Sequence, residues 1–231
     1  MNRAQIGILF SLWFALSSPT FAAPTPHDTD IQYKQSIAQF YGLKPQNLDL
    51  LQVNGYQQTT EYTCGPAAVM SLLHYFGYLS DAEMNHKTEL KIANEMGTSD
   101  KKGTSPQQVA KWLSEHGFTV TAGENGTLKM LRDNLKKGIP TIVEWMDWGG
   151  HWVVVTGYET EGKTPVDDLD TMLLADPAAM TTHEKTTHGL TSFNPDRFDN
   201  MWFDSQFFNP GHLVKGIYII AVPTKPLNKK K

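Results

Sequence analysis

The chain has 231 residues, of which 40% are hydrophobic, 11% aromatic and 19% charged; 20 Lys and Arg stand against 24 Asp and Glu, a net charge of −4. That length fits one domain or two small ones, and the composition supports a packed core rather than wholesale disorder. It rules out a collagen-like, coiled-coil or multi-span membrane chain, and the acidic balance argues against binding nucleic acid through the overall field.

Met1-Asn2-Arg3 carries one positive charge, and Ile6 to Leu16 is almost wholly apolar. Ser17-Ser18-Pro19 ends that run ahead of the small-residue site at Thr20-Phe21-Ala22. This order is that of a secretory signal peptide over residues 1–22, and the run is shorter than the about 20 residues a membrane span needs. Its removal takes away Arg3 and leaves a net charge of −5. No later apolar run is long enough to span a bilayer. The expectation is an exported, periplasmic or extracellular monomer without an integral membrane segment.

Residues 23–47 read as an N-terminal extension, a Pro-containing polar leader (Ala23 to Asp30) followed by a short helix from Ile31 to Tyr41. Leu48 to Val53 reads as a strand. From Gly65 to Phe76, Ala68, Val69, Leu72, Leu73 and Phe76 recur at helical spacing, with Gly77 as the stop. Leu79 to Met96 gives one or two short helices. Ser105-Pro106 caps and opens another, with Val109, Trp112 and Leu113 on one face and Gly117 at its end. Phe118, Val120 and Ala122 alternate as in a strand, and Leu128 to Lys137 is helical up to Gly138. Strands follow at Thr141–Trp145, Trp152–Tyr158, Met172–Ala175 and Val214–Val222. Helices first and strands later predict an α+β fold, a helical first half packed on a mostly antiparallel sheet over residues 48–223. Glu159 to Asp170 and Thr181 to Asn200 read as inserted loops, and residues 224–231 as a solvated basic tail. Asn125-Gly126-Thr127 fits a glycosylation sequon but is more simply a turn.

Export makes the single cysteine, Cys64, informative, because it has no internal disulfide partner. Such a thiol is inert and buried, linked to another chain, or reactive. Cys64 opens an apolar helix, where unpaired N–H groups and the positive dipole end favour a thiolate. Gln58, six residues earlier, is within reach of the sulfur; with the Cys64 N–H its amide would form an oxyanion hole. Among 8 histidines, His151 opens the apolar strand His151-Trp152-Val153-Val154-Val155, behind Gly149-Gly150, which let a substrate backbone approach. Trp148 of the same loop is a candidate substrate contact, whereas Trp152 reads as core. His74 lies almost three turns down the helix from Cys64, His116 reads as a helix-end cap, and the other five read as surface residues. Asp176, directly after Met172-Leu173-Leu174-Ala175, is placed to orient His151 and equally reads as an Asp-Pro turn residue.

Four motifs in order, Gln-x5-Cys-Gly-Pro-Ala, Gly-Thr-Ser-Pro, Gly-His-Trp-Val-Val-Val-Thr-Gly-Tyr and Ala-Asp-Pro, resemble those of the C39-type peptidases of the papain-like superfamily. The likeness covers roughly Leu51 to Pro177, and Phe198 to Trp202 resembles that family's late aromatic segment. The resemblance implies a papain-like fold and a cysteine peptidase acting on a peptide or protein, with no metal or cofactor. It implies Cys64 as nucleophile, His151 as general base and acid, Asp176 as the imidazole's orienting group, and Gln58 rather than the adjacent Gln57 as oxyanion donor. Gly149, Gly150 and Trp148 would contact substrate. The chain lacks the transporter portion that accompanies the best-known C39 domains, so their double-glycine specificity does not carry over. Two other functions use the same residues: acyl transfer to an amine, as in phytochelatin-synthase-like proteins, and peptide binding without turnover. Metal binding through His183 and His188 fits no standard ligand spacing.

Overall fold

A computed structural model of the chain describes residues 28–160, 170–179, 186–204 and 213–225. The segment read as a signal peptide (residues 1–22), most of the polar leader, the centres of the two segments read as inserted loops, and residues 226–231 of the tail lie outside the described residues.

Six antiparallel strands form the main sheet in the order β2 (Phe118–Gly123), β9 (Ile217–Pro223), β3 (Thr141–Trp145), β4 (His151–Glu159), β5 (Thr171–Ala175), β6 (Leu190–Phe193). A seventh, β1 (Leu48–Leu50), pairs with residues 157–159 of β4, beyond the end of β3, which pairs with residues 151–155. This is why β1 stops at Leu50 although the apolar pattern runs on to Val53: only the last three residues of β4 offer that edge. After one further bond, Leu51 N–H to Thr156 O, the chain turns away.

Every residue of β4 is buried. Side chains alternate across a strand, and here each face has its own core. Trp152 and Val154 join Leu173 and Ala175 of β5 against α2 (Cys64–Tyr75), α3 (His86–Met96) and α4 (Pro106–Glu115). Val153 and Val155 join Met172 and Leu174 against Leu131 and Leu135 of α5 (Leu128–Lys136) and Phe198 of α6 (Pro195–Met201). The unbroken apolar run of β4 is thus that of a strand covered on both sides, each large side chain contributing about 1.5–3 kcal/mol of transfer free energy. The expected α+β segregation holds, with the refinement that α5 and α6 cover the face opposite α2. α1 (Asp28–Tyr41) starts earlier than its apolar pattern and packs Ile37 into the first core, and Tyr33 donates to Val53 O at 2.9 Å.

Two expectations need correction. The reading of Thr181–Asn200 as loop fails from Leu190 onward, where β6 pairs with β5 and Asn194 caps α6 ahead of Pro195. Few of its residues are apolar because β6 is an edge strand and α6 a single short layer. The single strand expected over Val214–Val222 is two, parted at Gly216 with φ of 61°. β8 (Val214–Lys215) pairs with β7 (Phe203–Asp204), and β9 joins the main sheet. Among the described residues no helix is long and apolar enough to cross a membrane.

Candidate active site

The N-terminus of α2 and the start of β4 meet at one point. Cys64 is the first residue of α2, where backbone N–H groups have no intrahelical acceptors. Thr63, its N-cap, makes no side-chain capping bond; its hydroxyl turns away and donates to Glu89. The helix end is therefore left to the sulfur, which accepts from the backbone N–H groups of Trp152 and Gly65 and hydrogen-bonds His151. Burial opposes the thiolate, but the hydrogen bond and charge of His151 and the two N–H donors outweigh it, so the Cys64 pKa lies below its ordinary value.

His151 Nε2 lies 2.7 Å from Asp176 Oδ1, which leaves Nδ1 as the ring nitrogen for the sulfur. Burial opposes the imidazolium, yet the hydrogen bonds and charges of Asp176 and Cys64 prevail and hold the ring above its ordinary pKa. Asp176 stands one residue past β5, where the register pairs Ala175 with Val154 of β4. Burial raises its carboxyl less than His151, the Ala178 N–H and the Thr191 hydroxyl lower it, and it stays below the usual carboxylate range. Oδ1 of Asp176 also accepts from Ala178 N–H at 2.8 Å, as a turn residue does. Cys64, His151 and Asp176 are brought into one hydrogen-bonded chain.

Gly65 makes the approach possible. A Cβ on Gly65 would lie 2.9 Å from Thr104 Cβ and Oγ1 and 3.3 Å from Trp152 Cδ1. Trp152, read as core, is locked there by its indole N–H to Thr104 O at 2.9 Å. A cleft opens over the sulfur, and Trp148, Gly149 and Gly150 line it. The Trp148 side chain is 65% exposed, on a turn with φ of 57° for Trp148, 84° for Gly149 and 126° for Gly150. Glycine suits the last two positions; Trp148 is held in the left-handed region against its preference.

Gln58 is tied into its own loop. Its backbone N–H donates to Pro177 O at 2.9 Å, joining this loop to the Asp176 turn. Its side-chain Nε2 donates to Thr60 O at 2.7 Å, while Oε1 is buried without a partner. One of the two amide protons is thereby engaged, and Gln58 does not line the cleft.

Two carboxyl groups escaped the sequence reading. Glu89, on α3, is fully buried and accepts from Thr59 N–H at 2.9 Å and from the hydroxyls of Thr59 at 2.6 Å, Thr63 at 2.5 Å and Tyr56 at 3.3 Å. The threonines crowded between Thr59 and Thr63 were the signal, a set of donors in need of an acceptor. Glu144, on β3, lines the cleft and is only 1% exposed. Burial above all, then the charges of Asp204 and Cys64, push its pKa up to about 9.

The other described histidines have separate partners. His74 contacts Asp81 at 2.7 Å, His116 stacks on Trp112 at 3.8 Å, His86 contacts the Thr59 hydroxyl at 2.6 Å, and His188 contacts Asn54 at 3.2 Å. His183 lies outside the described residues, as do His27 and His212.

Solved peptidase domains resemble this fold. The peptidase domain of Streptococcus ComA, a bifunctional ABC transporter involved in quorum sensing, is 16% identical with a TM-score of 0.52; the match covers 74% of this chain and 99% of that one. A protein from Bacillus anthracis described as a C39-like peptidase is 17% identical with a TM-score of 0.47, over 75% of this chain and 96% of that one. The likeness to the ComA domain, at 16% identity, speaks for the fold alone. Among curated proteins there is no significant match. The model of the Peptidase_C39 like family matches residues 50–203, a span that holds Cys64, His151 and Asp176. With a papain-like arrangement of helices and antiparallel sheet, the chain belongs to the Peptidase_C39 like family.

Proposed function

We propose that the protein is an exported cysteine peptidase that cleaves peptide bonds through a thioester on Cys64. The observation that carries this reading is the buried hydrogen-bonded chain from the Cys64 thiol through His151 to Asp176. Proton transfer from sulfur to imidazole gives a thiolate and an imidazolium steadied by Asp176. The thiolate attacks the scissile carbonyl and the Cys64 N–H acts on the oxyanion; Gln58 joins it as second donor only when its side chain turns from Thr60 O toward the cleft. An oxyanion donor of this kind is worth about 10²- to 10³-fold in rate. His151 returns its proton to the leaving amine and then activates the water that hydrolyses the thioester. Trp148, Gly149 and Gly150 hold the peptide in the cleft. The apolar segment Ile6 to Leu16 and the small-residue site after it support export of the chain.

Alkylation of Cys64 with iodoacetamide over roughly pH 4–9 tests the pair. Because His151 holds the thiol pKa down, fast labelling should persist well below the ordinary thiol value of about 8.5. In His151→Ala the thiol should return to that value, and labelling at pH 6.5 should fall by about 100-fold. A labelling profile centred on the free-thiol value in both proteins defeats the catalytic reading. Cys64→Ala should abolish peptide hydrolysis.

A further inference from the structure

Glu144 has no role in the mechanism above, yet it occupies the floor of the same cleft. It follows from its register opposite Trp152 on β4, one pair away from the Trp145–His151 pair. On its other side β3 pairs it with Ile217 of β9, which offers no polar side chain. The carboxyl is 1% exposed, and Oε2 has no hydrogen-bond partner among the described residues. Unpartnered buried carboxyl oxygens are costly, and one that lines a substrate cleft is best explained by a ligand group.

The charges around it indicate which group. Asp204 on β7 and Cys64 on α2 face it and both act on it as negative charges. Cys64, His151 and Asp176 together carry one net negative charge in the thiolate–imidazolium state. No Lys or Arg is buried among the described residues. At the mouth, Lys101 and Lys102 are balanced by Glu61 and Asp100, so the imbalance lies at the floor. A cation entering the cleft would meet an unused acceptor in a region of negative potential.

We propose that Glu144 is the substrate-selecting group of the cleft and receives the cationic side chain of a Lys or Arg residue next to the bond that Cys64 attacks. The proposal rests on the peptidase reading for its substrate but not for its site. In the empty cleft Glu144 carries a proton, since its pKa is pushed up to about 9. Binding an ammonium or guanidinium group displaces that proton to solvent and leaves a carboxylate–cation pair. One proton is released for each cation bound, so preference for a cation strengthens as pH rises toward about 9, whereas binding of a neutral group does not.

Cys64 is the only cysteine, so thiol reagents of different charge report on this floor without any need for turnover. The probes are aminoethyl, methyl and sulfonatoethyl methanethiosulfonates, cationic, neutral and anionic, each referred to its rate with a small free thiol. Dividing by the neutral reagent's rate removes the ionisation of the sulfur itself. In the wild type the cationic-to-neutral ratio should rise by about tenfold or more between pH 6 and 8.5, and the anionic-to-neutral ratio should fall. In Glu144→Gln both ratios should be flat. Equal ratios in the two proteins at every pH overturn the proposal. If the variant fails to fold, a flat cationic ratio in the wild type overturns it as well. Peptides with Lys or Arg, set against the same peptides with norleucine or citrulline, then test the substrate. A preference of at least about tenfold in kcat/KM should vanish in Glu144→Gln. If no peptide is cut, the peptidase reading fails while the reagent ratios still decide the role of Glu144. If peptides are cut and the ratios are flat, Glu144 alone loses its role.

Discussion

Glu89 and Asp176 are both buried carboxylates, and they differ in what they hold. Asp176 steadies one imidazole and one turn, whereas Glu89 gathers four donors from the loop that carries Gln58. An amide in place of Glu89 brings two donors into a site built of donors, so at least one polar group is left unpaired. Glu89→Gln should therefore cost about 1–3 kcal/mol in denaturant unfolding. If the loop also sets the oxyanion donor, kcat should fall more than KM rises. Equal stability of the variant and the wild type would show that the four contacts do not hold the loop. At this scale the sequence singled out Cys64, His151 and Asp176, which the fold brings together, because a helix start, a strand start and a strand end are local features. Glu89 and Glu144 were hidden, because what makes each unusual is which distant segment folds against it.

Among the elements, those with strong local punctuation were legible. α4 begins at Ser105 with a reciprocal capping box to Gln108 and Pro106 in its first turn, all visible in the letters. α6 offered similar signals in Asn194-Pro195, but a helix of about two turns that buries only Pro195 and Phe198 carries too few apolar residues for periodicity to register. The junction of α2 and β4 depends on one missing side chain. Gly65→Ala would push a methyl into Thr104 and the Trp152 ring, whose positions are fixed by their mutual hydrogen bond. Overpacking of this kind costs about 1–3 kcal/mol. The Trp152 N–H should move off the sulfur with it, so iodoacetamide labelling at pH 6.5 should slow in a variant that still melts cooperatively. Unchanged labelling would mean that this donor does not act on Cys64.

For the whole molecule, the order of helices and strands was enough to reach an α+β layout. What it lacked was the second covered face. A strand such as β4, with an unbroken apolar run from Trp152 to Val155, fits either a sheet buried on both sides or a single deep core, and only the placement of α5 and α6 distinguishes them. The result is a molecule in which the sheet is the middle layer and Cys64 and His151 come from different layers, α2 and β4.

That division gives the protein a seam. Cys64 belongs to the helices and His151 to the sheet, and the thiol–imidazole contact, the Trp152 N–H to sulfur and the Trp152 indole N–H to Thr104 O cross between them at this point. The sheet is tied by strand-to-strand ladders, and the helices are packed onto it through the non-directional contacts of the first core. A parting of a few tenths of an ångström between the two layers breaks proton transfer while leaving both layers folded. Inactivation should thus come ahead of unfolding in a urea titration, with low-pH labelling of Cys64 lost at concentrations where the circular dichroism of the helices is still intact. A ligand that fills the cleft and grips both sides would act as a clasp, drawing the two losses together.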